Sequence, residues 1–536
     1  MRPRLLALAS VAASAAAFAL YARVEWPWLI LGWCGLVPWL GALDDEPTLA
    51  RALGSGLLMS EAFAVAVFFW FAQAIATYTG APLAVGLLVL LLLAPLLQPQ
   101  FIAFAGARHL ARRRGAGLWR RALTGACVYV GTEWASPKLF ADTLGHGLYA
   151  SPLLRQAADL AGAHGLTFVL LIANECAASA WRAPALPAAG RSHWRARATP
   201  AAVVALLVAA LLGYGALRYR LLAATAEGAP IRAGIVQGNI SHYEELARAR
   251  GTYDAVRFIL AAYFDLSTEV LHQATGGPVD LLVWPETVYP TTFGVPKSPD
   301  GAAFDRTIAE FVNAAGVPLV FGSYDVDGGN EFNAAVFLPP SADGAISYDT
   351  YRKTSLFPLT ERVPALLDSR AVRRWLPWLG TWKPGAGPPV VRVRLRDGRA
   401  LRIAPLICYD AVDPRLAIQA VRQGAEVILT LSNDSWFATG GGPRLHLVVS
   451  AFRSIETRRP QVRATNTGIS AIITPTGELL GSIGVEERGT LAGSIVPVRD
   501  TSTLMLAWGD WFGPTALVAG VALLVMTRPG APRRSR

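Results

Sequence analysis

The sequence predicts an α-helical polytopic membrane region of about eight spans joined to a water-facing α/β domain. Three observations carry this. The chain of 536 residues is 53% hydrophobic but only 16% charged, and its mean hydropathy is +0.37. That is more apolar than a soluble protein of this size. The apolar residues gather in segments close to membrane length. One long stretch near the C-terminal end instead alternates short apolar runs with helical stretches.

The apolar segments fall at about 4–22, 26–43, 56–78, 82–105, 121–136, 158–181, 200–218 and 508–526, most of them near the ~20 residues that cross a bilayer. The 121–136 segment is short and holds Glu133. The first segment has signal-peptide features, with Arg2 and Arg4 before an Ala-rich run. The next apolar segment starts within a few residues, so the first is expected to be retained. With the N-terminus in the cytoplasm, three Arg groups fall on the cytoplasmic side: Arg108, Arg112, Arg113, Arg114, Arg120 and Arg121; Arg182, Arg191, Arg195 and Arg197; and Arg528, Arg533, Arg534 and Arg536. The positive-inside rule then puts the region after the seventh span outside. The expected organisation is a membrane domain at 1–218 with about seven helices and an extracytoplasmic catalytic domain at 230–500. A transmembrane helix at 508–526 and a basic cytoplasmic tail at 527–536 complete it. The net charge of +11 reflects these loops. No basic stripe interleaved with aromatics points to nucleic acid.

Within 230–500, the runs Ile231–Val236, Val279–Trp284, Val317–Phe321, Leu401–Ile407 and Glu426–Leu431 read as buried strands. Helices are expected at about 253–274, 303–315, 413–424 and 444–458. Gly276-Gly277-Pro278, 385–389 and 440–443 mark loops. Alternating strands and helices argue an α/β domain.

Three residues in this domain carry chemistry. Glu286 ends Leu-Leu-Val-Trp-Pro-Glu, a strand running into a turn, where functional side chains emerge in α/β folds; it suits a general base. Cys408 ends a second strand and precedes Tyr409 and Asp410. Of four cysteines it alone lies in the polar region, without a Cys-x-x-Cys spacing for zinc. A thiol there can act as a nucleophile if a base takes its proton and a cation lowers its pKa. Lys353 supplies that cation. The chain has 49 basic residues, and only Lys138, Lys297, Lys353 and Lys383 are lysine. Lys directly after Arg352 therefore reads as a demand for a compact ammonium rather than a planar fork.

The three motifs Val-Trp-Pro-Glu286, Tyr-Arg-Lys353 and Ile-Cys408-Tyr-Asp410 resemble the Glu-Lys-Cys triad of the carbon–nitrogen hydrolase (nitrilase) superfamily. Further stretches resemble its bacterial apolipoprotein N-acyltransferase family: Val236-Gln-Gly-Asn239, Lys353 through Pro364, Leu431 through Phe437 with His446, Arg463 through Ala471, and Gly509-Asp-Trp511. The resemblance implies an αββα sandwich outside the bacterial cytoplasmic (inner) membrane. It implies acyl transfer from a phospholipid to the N-terminal amine of a diacylglyceryl-cysteine apolipoprotein, through a thioester. By the same resemblance Glu286 is the base, Lys353 stabilises the oxyanion and Cys408 is acylated. Glu361 matches a second active-site glutamate, and Tyr409 and Asp410 match the two residues after the nucleophile. The chain departs from the pattern at Asp410, where the family has Glu, at Thr360, where it has Gly, and at Leu144–Ala150. No metal or diffusible cofactor is expected, and the protein is expected to act as a monomer.

Two other functions fit parts of the sequence. A membrane-tethered amidase would use the same triad with water as acceptor. A transporter or scaffold would need buried charge in the spans, for which Glu61, Glu133 and Asp159 are the candidates. Trp375–Trp382 reads either as a membrane-dipping lid or as core.

Overall fold

The computed structural model describes residues 2–139, 142–182, 192–224, 228–241, 243–273, 276–358, 360–363, 368–375, 380–437 and 441–526. Arg191, Pro364, the tail at 527–536 and the middle of Trp375–Trp382 lie outside these. The chain divides into two compact units. One comprises Met1–Ala223, Phe437–Gly442 and Asp510–Arg536; the other comprises Ala224–Trp436 and Pro443–Gly509.

The first unit is helical. Four helices among the described residues are long and apolar enough to cross a membrane: Arg4–Tyr21, Leu49–Thr77, Leu154–Arg182 and Ala198–Leu222. The other expected spans come out differently. The 82–105 segment is two helices, Leu83–Leu97 and Gln100–Arg113, bent by 47°; Pro99 at the break donates no N–H to a continuous ladder. The 26–43 segment is a short 3-10 helix, Trp28–Trp33, then Val37–Asp44. Leu118–Ala135 carries Arg120, Arg121 and Glu133 and is not among the membrane-length candidates. Phe512–Met526 is apolar but shorter. The break falls at Gln98-Pro99-Gln100, a polar and proline interruption that an averaged hydropathy reading of 82–105 passes over.

This unit also buries more charge than its hydropathy suggests, and several of these charges are paired. Arg108, 1% exposed, grips Asp44 and Glu175. Glu133 pairs with Lys138 at 2.8 Å. Asp159 pairs with Arg218 at 2.8 Å and accepts from the Tyr214 hydroxyl at 2.6 Å. Arg108, expected in a loop, lies inside the Gln100–Arg113 helix. The divergent 144–150 segment is a 3-10 helix, buried from Leu144 to Leu148. The Tyr21 hydroxyl donates to the Leu144 carbonyl at 2.7 Å.

The second unit is built on twelve strands. They are β1 (Ile231–Gln237), β2 (Leu281–Val283), β3 (Leu319–Asp327), β4 (Asn330–Leu338), β5 (Asp349–Arg352), β6 (Val391–Arg394), β7 (Ala400–Ile407), β8 (Val427–Ser432), β9 (Gln461–Thr465), β10 (Ser470–Ile473), β11 (Leu479–Ile483) and β12 (Gly489–Ile495). They form two six-stranded sheets, in the orders β12-β1-β2-β3-β4-β5 and β11-β10-β9-β8-β7-β6. The central pairs β1/β2, β2/β3, β7/β8 and β8/β9 are parallel; the flanking pairs are antiparallel.

Apolar side chains decide the layering. Ile235, Val283, Val320, Ile403, Leu429 and Val462 share one core between the sheets. Alternate residues such as Val236, Leu282 and Phe321 face a second core, with Ile259, Tyr263 and Ile308 of the helices Thr252–Gln273 and Pro299–Ala315. Ala404, Leu406 and Ile428 face a third, with Ala417 and Val421 of Pro414–Arg422. The order is helix, sheet, sheet, helix, as the resemblance implied. Strands covered on both faces read as unbroken apolar runs, which is why β1, β2, β7 and β8 were legible; β9, equally buried but carrying Gln461, Arg463 and Thr465, was not. β3 runs further than the sequence suggested, and β4 was not among the expected strands. Gly328 and Gly329, with φ of +54° and +79°, make the tight two-residue hairpin turn that lets the nine-residue strands pair along their whole length.

Candidate active site

Glu286, Lys353 and Cys408 come together because three strands deliver them. Glu286 lies just beyond β2. The turn that carries it packs against Gly322 of β3, where a Cβ would sit 2.3 Å from the Thr287 nitrogen and 2.5 Å from the Glu286 Cα. Only glycine admits that approach. Gly322 fixes the turn further, its N–H donating to the Pro285 carbonyl at 2.9 Å.

Lys353 follows β5, and the pleat sorts its neighbourhood. Tyr351 and Lys353 point inward and are buried. Arg352 points outward, to Asp325 at 2.6 Å and Asp327 at 3.0 Å. The alternation of side chains along a strand thus separates two adjacent cations into surface ion pair and interior charge.

Cys408 stands where β7 ends, with φ +49°, the left-handed region that L-residues with a side chain rarely adopt. It opens the 3-10 helix Cys408–Val412. Asp410 holds this elbow. Its carboxylate accepts from the Ile407 N–H at 3.0 Å, the Ser355 N–H at 2.6 Å, the Thr354 N–H at 3.1 Å and the Tyr351 hydroxyl at 2.8 Å. One shorter side chain ties the elbow to the segment after Lys353. Burial raises the Asp410 carboxyl to about 6, against the pull of those donors.

The charges meet at the Lys353 ammonium. Nζ is 3.1 Å from Glu286 Oε1 and 2.7 Å from Glu361 Oε1. Asn333 of β4 donates from Nδ2 to Glu286 at 2.7 Å and to Glu361 at 3.3 Å. The Asn433 N–H holds the other Glu286 oxygen at 2.8 Å, and the Phe357 N–H holds that of Glu361 at 2.7 Å. Both carboxylates are therefore fixed at both oxygens. Burial opposes the Lys353 charge, but Glu286 and Glu361 outweigh it and keep the ammonium well above its usual range. Burial, then the negative charge of Glu286, pushes the Cys408 thiol well above its usual range, against the pull of Lys353. The thiol rests protonated, and a base must act for it to attack. Tyr409 and Trp436 pack edge-on against Phe357, at 5.2 and 4.8 Å between ring centres, giving an apolar wall. Trp382, at the end of the aromatic stretch, packs on Tyr324 at 4.8 Å.

All six residues singled out in the sequence lie in this arrangement. Asn333 was missed: the signal was a buried Asn heading an apolar strand, Asn333-Ala-Ala-Val-Phe-Leu338, which needs a polar partner. A second network was quoted only as motif. Asp434 accepts from Ser432 Oγ at 2.7 Å and from Arg463 Nη2 at 3.1 Å, and it pairs with His446 Nδ1 at 2.9 Å. Cys408, Asp434 and His446 present possible metal-ligating atoms within 4.8 Å of one another. The Asp434 oxygens are already engaged by these three donors, so the set is better matched to a hydrogen-bond network than to an ion.

Comparison with known proteins follows the same division. A family model described as carbon-nitrogen hydrolase matches residues 226–501, just over half of the chain. One described as apolipoprotein N-acyltransferase N-terminal domain matches residues 12–176. The protein called apolipoprotein N-acyltransferase in Bdellovibrio bacteriovorus is 27% identical, over 90% of this chain and 87% of that protein. The protein of that name in Geobacter metallireducens is 28% identical, over 92% and 90%. That of Pseudomonas aeruginosa is 34% identical over 55% and 53%. Among solved structures, a mutant amidase of the nitrilase superfamily from Nesterenkonia matches with 18% identity and a TM-score of 0.36, covering 50% of this chain and 92% of that one. The chain belongs to the carbon–nitrogen hydrolase family.

Proposed function

We propose that this carbon–nitrogen hydrolase family member is a membrane-bound N-acyltransferase that moves an acyl chain from a phospholipid to the N-terminal amine of a diacylated apolipoprotein. The observation that carries the reading is one cluster in which Lys353 bridges Glu286 and Glu361 beside the Cys408 thiol on a strained elbow. The membrane-length helices of the same chain and the relatives named apolipoprotein N-acyltransferase over nearly its whole length support the lipid substrates.

The proposed steps are two displacements. Glu286 takes the Cys408 proton as sulfur attacks the phospholipid ester carbon. The carbonyl oxygen becomes an oxyanion, stabilised by the Lys353 ammonium and backbone N–H groups at the elbow. As the C–O bond breaks, Glu286 returns the proton to the leaving lysophospholipid. The lipoprotein amine then attacks the thioester and gives a proton to Glu286. The C–S bond breaks, and the proton returns to Cys408 sulfur. The bond changes balance without an outside reactant. Asn333, Asn433 and Phe357 keep the carboxylates aimed, and Glu361 shares the Lys353 charge. The apolar wall of Phe357, Tyr409 and Trp436 disfavours water, so that the thioester survives for an amine.

The Arg-rich loops support an inner-membrane protein with the catalytic region outside the cytoplasm and the C-terminus inside. A monomer suffices, since one chain supplies every group in the mechanism. The test is incubation of the purified protein with labelled phospholipid and a diacylated lipopeptide. Triacylated peptide is expected, and none with Cys408→Ala. Free fatty acid without triacylated peptide would make the protein an amidase-like hydrolase instead.

A further inference from the structure

We propose that His446 is a positioning residue for Cys408, holding the nucleophile's own carbonyl so that the elbow keeps its strained shape. The inference rests on Cys408 being the acylated nucleophile. Its geometry is independent of the Glu286–Lys353–Glu361 cluster.

His446 lies on the helix Gly441–Thr457 and is buried. Its Nε2 is 3.2 Å from the Cys408 carbonyl oxygen. A carbonyl only accepts, so Nε2 carries the hydrogen and donates. Its Nδ1 is fixed from the other end by Asp434 Oδ1 at 2.9 Å, while Arg463 Nη2, 3.2 Å from the ring, donates to the other Asp434 oxygen. Asp434 is itself clamped by Ser432 and Arg463. Burial alone would raise its carboxyl, but His446 and Arg463 hold it down to about 2. The chain from Arg463 through Asp434 and His446 therefore ends on Cys408 as a braced, ionised network.

The need for it follows from the backbone. Cys408 has φ +49°, and a side-chain-bearing residue stays there only when its surroundings over-determine it. Asp410 secures the Leu406–Ile407 peptide, through the Ile407 N–H. The peptide after Cys408 lies outside that set of bonds; it belongs to the first turn of the Cys408–Val412 3-10 helix, a tight turn of poorer hydrogen-bond geometry, and its oxygen is the one His446 meets. If that peptide turns, the sulfur swings relative to Glu286 and Lys353. A displacement of about 1 Å in a reacting atom can cost about a hundredfold in rate.

Two near-isosteric substitutions separate the two ends of the ring. In His446→Gln, the amide nitrogen replaces Nε2 and keeps the donor to Cys408. In His446→Asn, the amide replaces Nδ1 and keeps the Asp434 side only. The rate at which Cys408 gains acyl mass is followed in the full-length protein with mixed phosphatidylethanolamine and phosphatidylglycerol in detergent micelles. His446→Asn and His446→Ala are expected to slow acylation by about tenfold or more, with half-saturating phospholipid unchanged. His446→Gln is expected to recover most of that loss. Equal rates for Gln and Asn, or losses that track only the unfolded fraction in a thermal melt, overturn the proposal. Should the variants fail to fold, 15N-histidine labelling of the unsubstituted protein decides. One ring Nε2–H signal that moves on alkylation of Cys408 supports the contact, and ring signals indifferent to that alkylation overturn it. Absence of any acyl mass on unsubstituted Cys408 instead removes the acyltransferase reading itself.

Discussion

Each unit of this protein buries a cation between two carboxylates, and the two clusters differ in what the cation is. In the helical unit, Arg108 lies between Asp44 and Glu175, with 2.6 Å to Asp44 Oδ1 and 3.1 Å to Glu175 Oε2. In the α/β unit, Lys353 lies between Glu286 and Glu361 at 3.1 and 2.7 Å. The arginine fork meets each carboxylate along its edge, so its donors are committed and the cluster is a clamp between helices. The lysine ammonium is a point charge with three rotatable donors. It can hold two carboxylates and still turn toward charge that develops on a third atom. The carboxylates beside Lys353 are also steadied by Asn333 and two backbone N–H groups, so they do not depend on the lysine alone. Similar buried charge serves cohesion in one unit and, as proposed, catalysis in the other.

The largest expected effect tests whether the second cluster serves a nucleophile at all. Cys408→Ala should lower acyl transfer by at least about a thousandfold while leaving the melting temperature near that of the unsubstituted protein. Activity retained in that variant removes catalysis from the comparison. Next comes an exchange of the two cations. Lys353→Arg keeps the charge but not its compactness, and should cost about a hundredfold in rate. Arg108→Lys should leave the activity of folded protein unchanged. It should lower stability by about 2 kcal/mol, the scale of hydrogen bonds to charged groups, read from thermal melts in detergent. If the exchange moved activity and stability together at both positions, the clamp-versus-site distinction would fail. Arg108→Ala sharpens the same point: Asp44 and Glu175 keep the longer contacts of Arg121, at 3.7 Å from each, and of Arg182, at 3.4 Å from Asp44, and the loss should be about 3 kcal/mol.

The smallest effect is one of pH. Asp434 is lowered from 3.8 to about 2 in the folded protein. Its contribution is present above pH ~4 and is lost as pH falls through ~2. The size is on the order of 2 kcal/mol. Asp434→Asn should therefore flatten the fall in melting temperature between pH 5 and 2. A slope equal to that of the unsubstituted protein would mean that the network beside Cys408 is not held by that charge.

Legibility followed burial and period. β1, β2, β7 and β8 are covered on both faces, so each was an unbroken apolar run between turn signals. β6 and β11 alternate with exposed positions, β5 and β12 are mostly half-buried, and none of the four carried a comparable signal. The 144–150 segment, which departs from the family pattern, proves to be interior to its unit: Leu144–Leu148 are buried, and the Tyr21 hydroxyl donates to the Leu144 carbonyl. Asp410, one methylene shorter than the family's residue, still collects four donors because the elbow and the Thr354–Ser355 segment both approach it.

By itself the sequence determined the two kinds of region, the central strands, and the three residues whose types permit a base, a cation and a nucleophile. Those are local properties: hydropathy, periodicity and side-chain chemistry are written residue by residue. Only the tertiary structure decided that the 82–105 segment bends and that Arg108 is buried with its partners. It alone decided that Asn333 steadies both carboxylates and that His446 reaches the Cys408 carbonyl from 38 residues away. Each of these is a meeting of distant residues, settled by which strand faces which helix once the cores have closed.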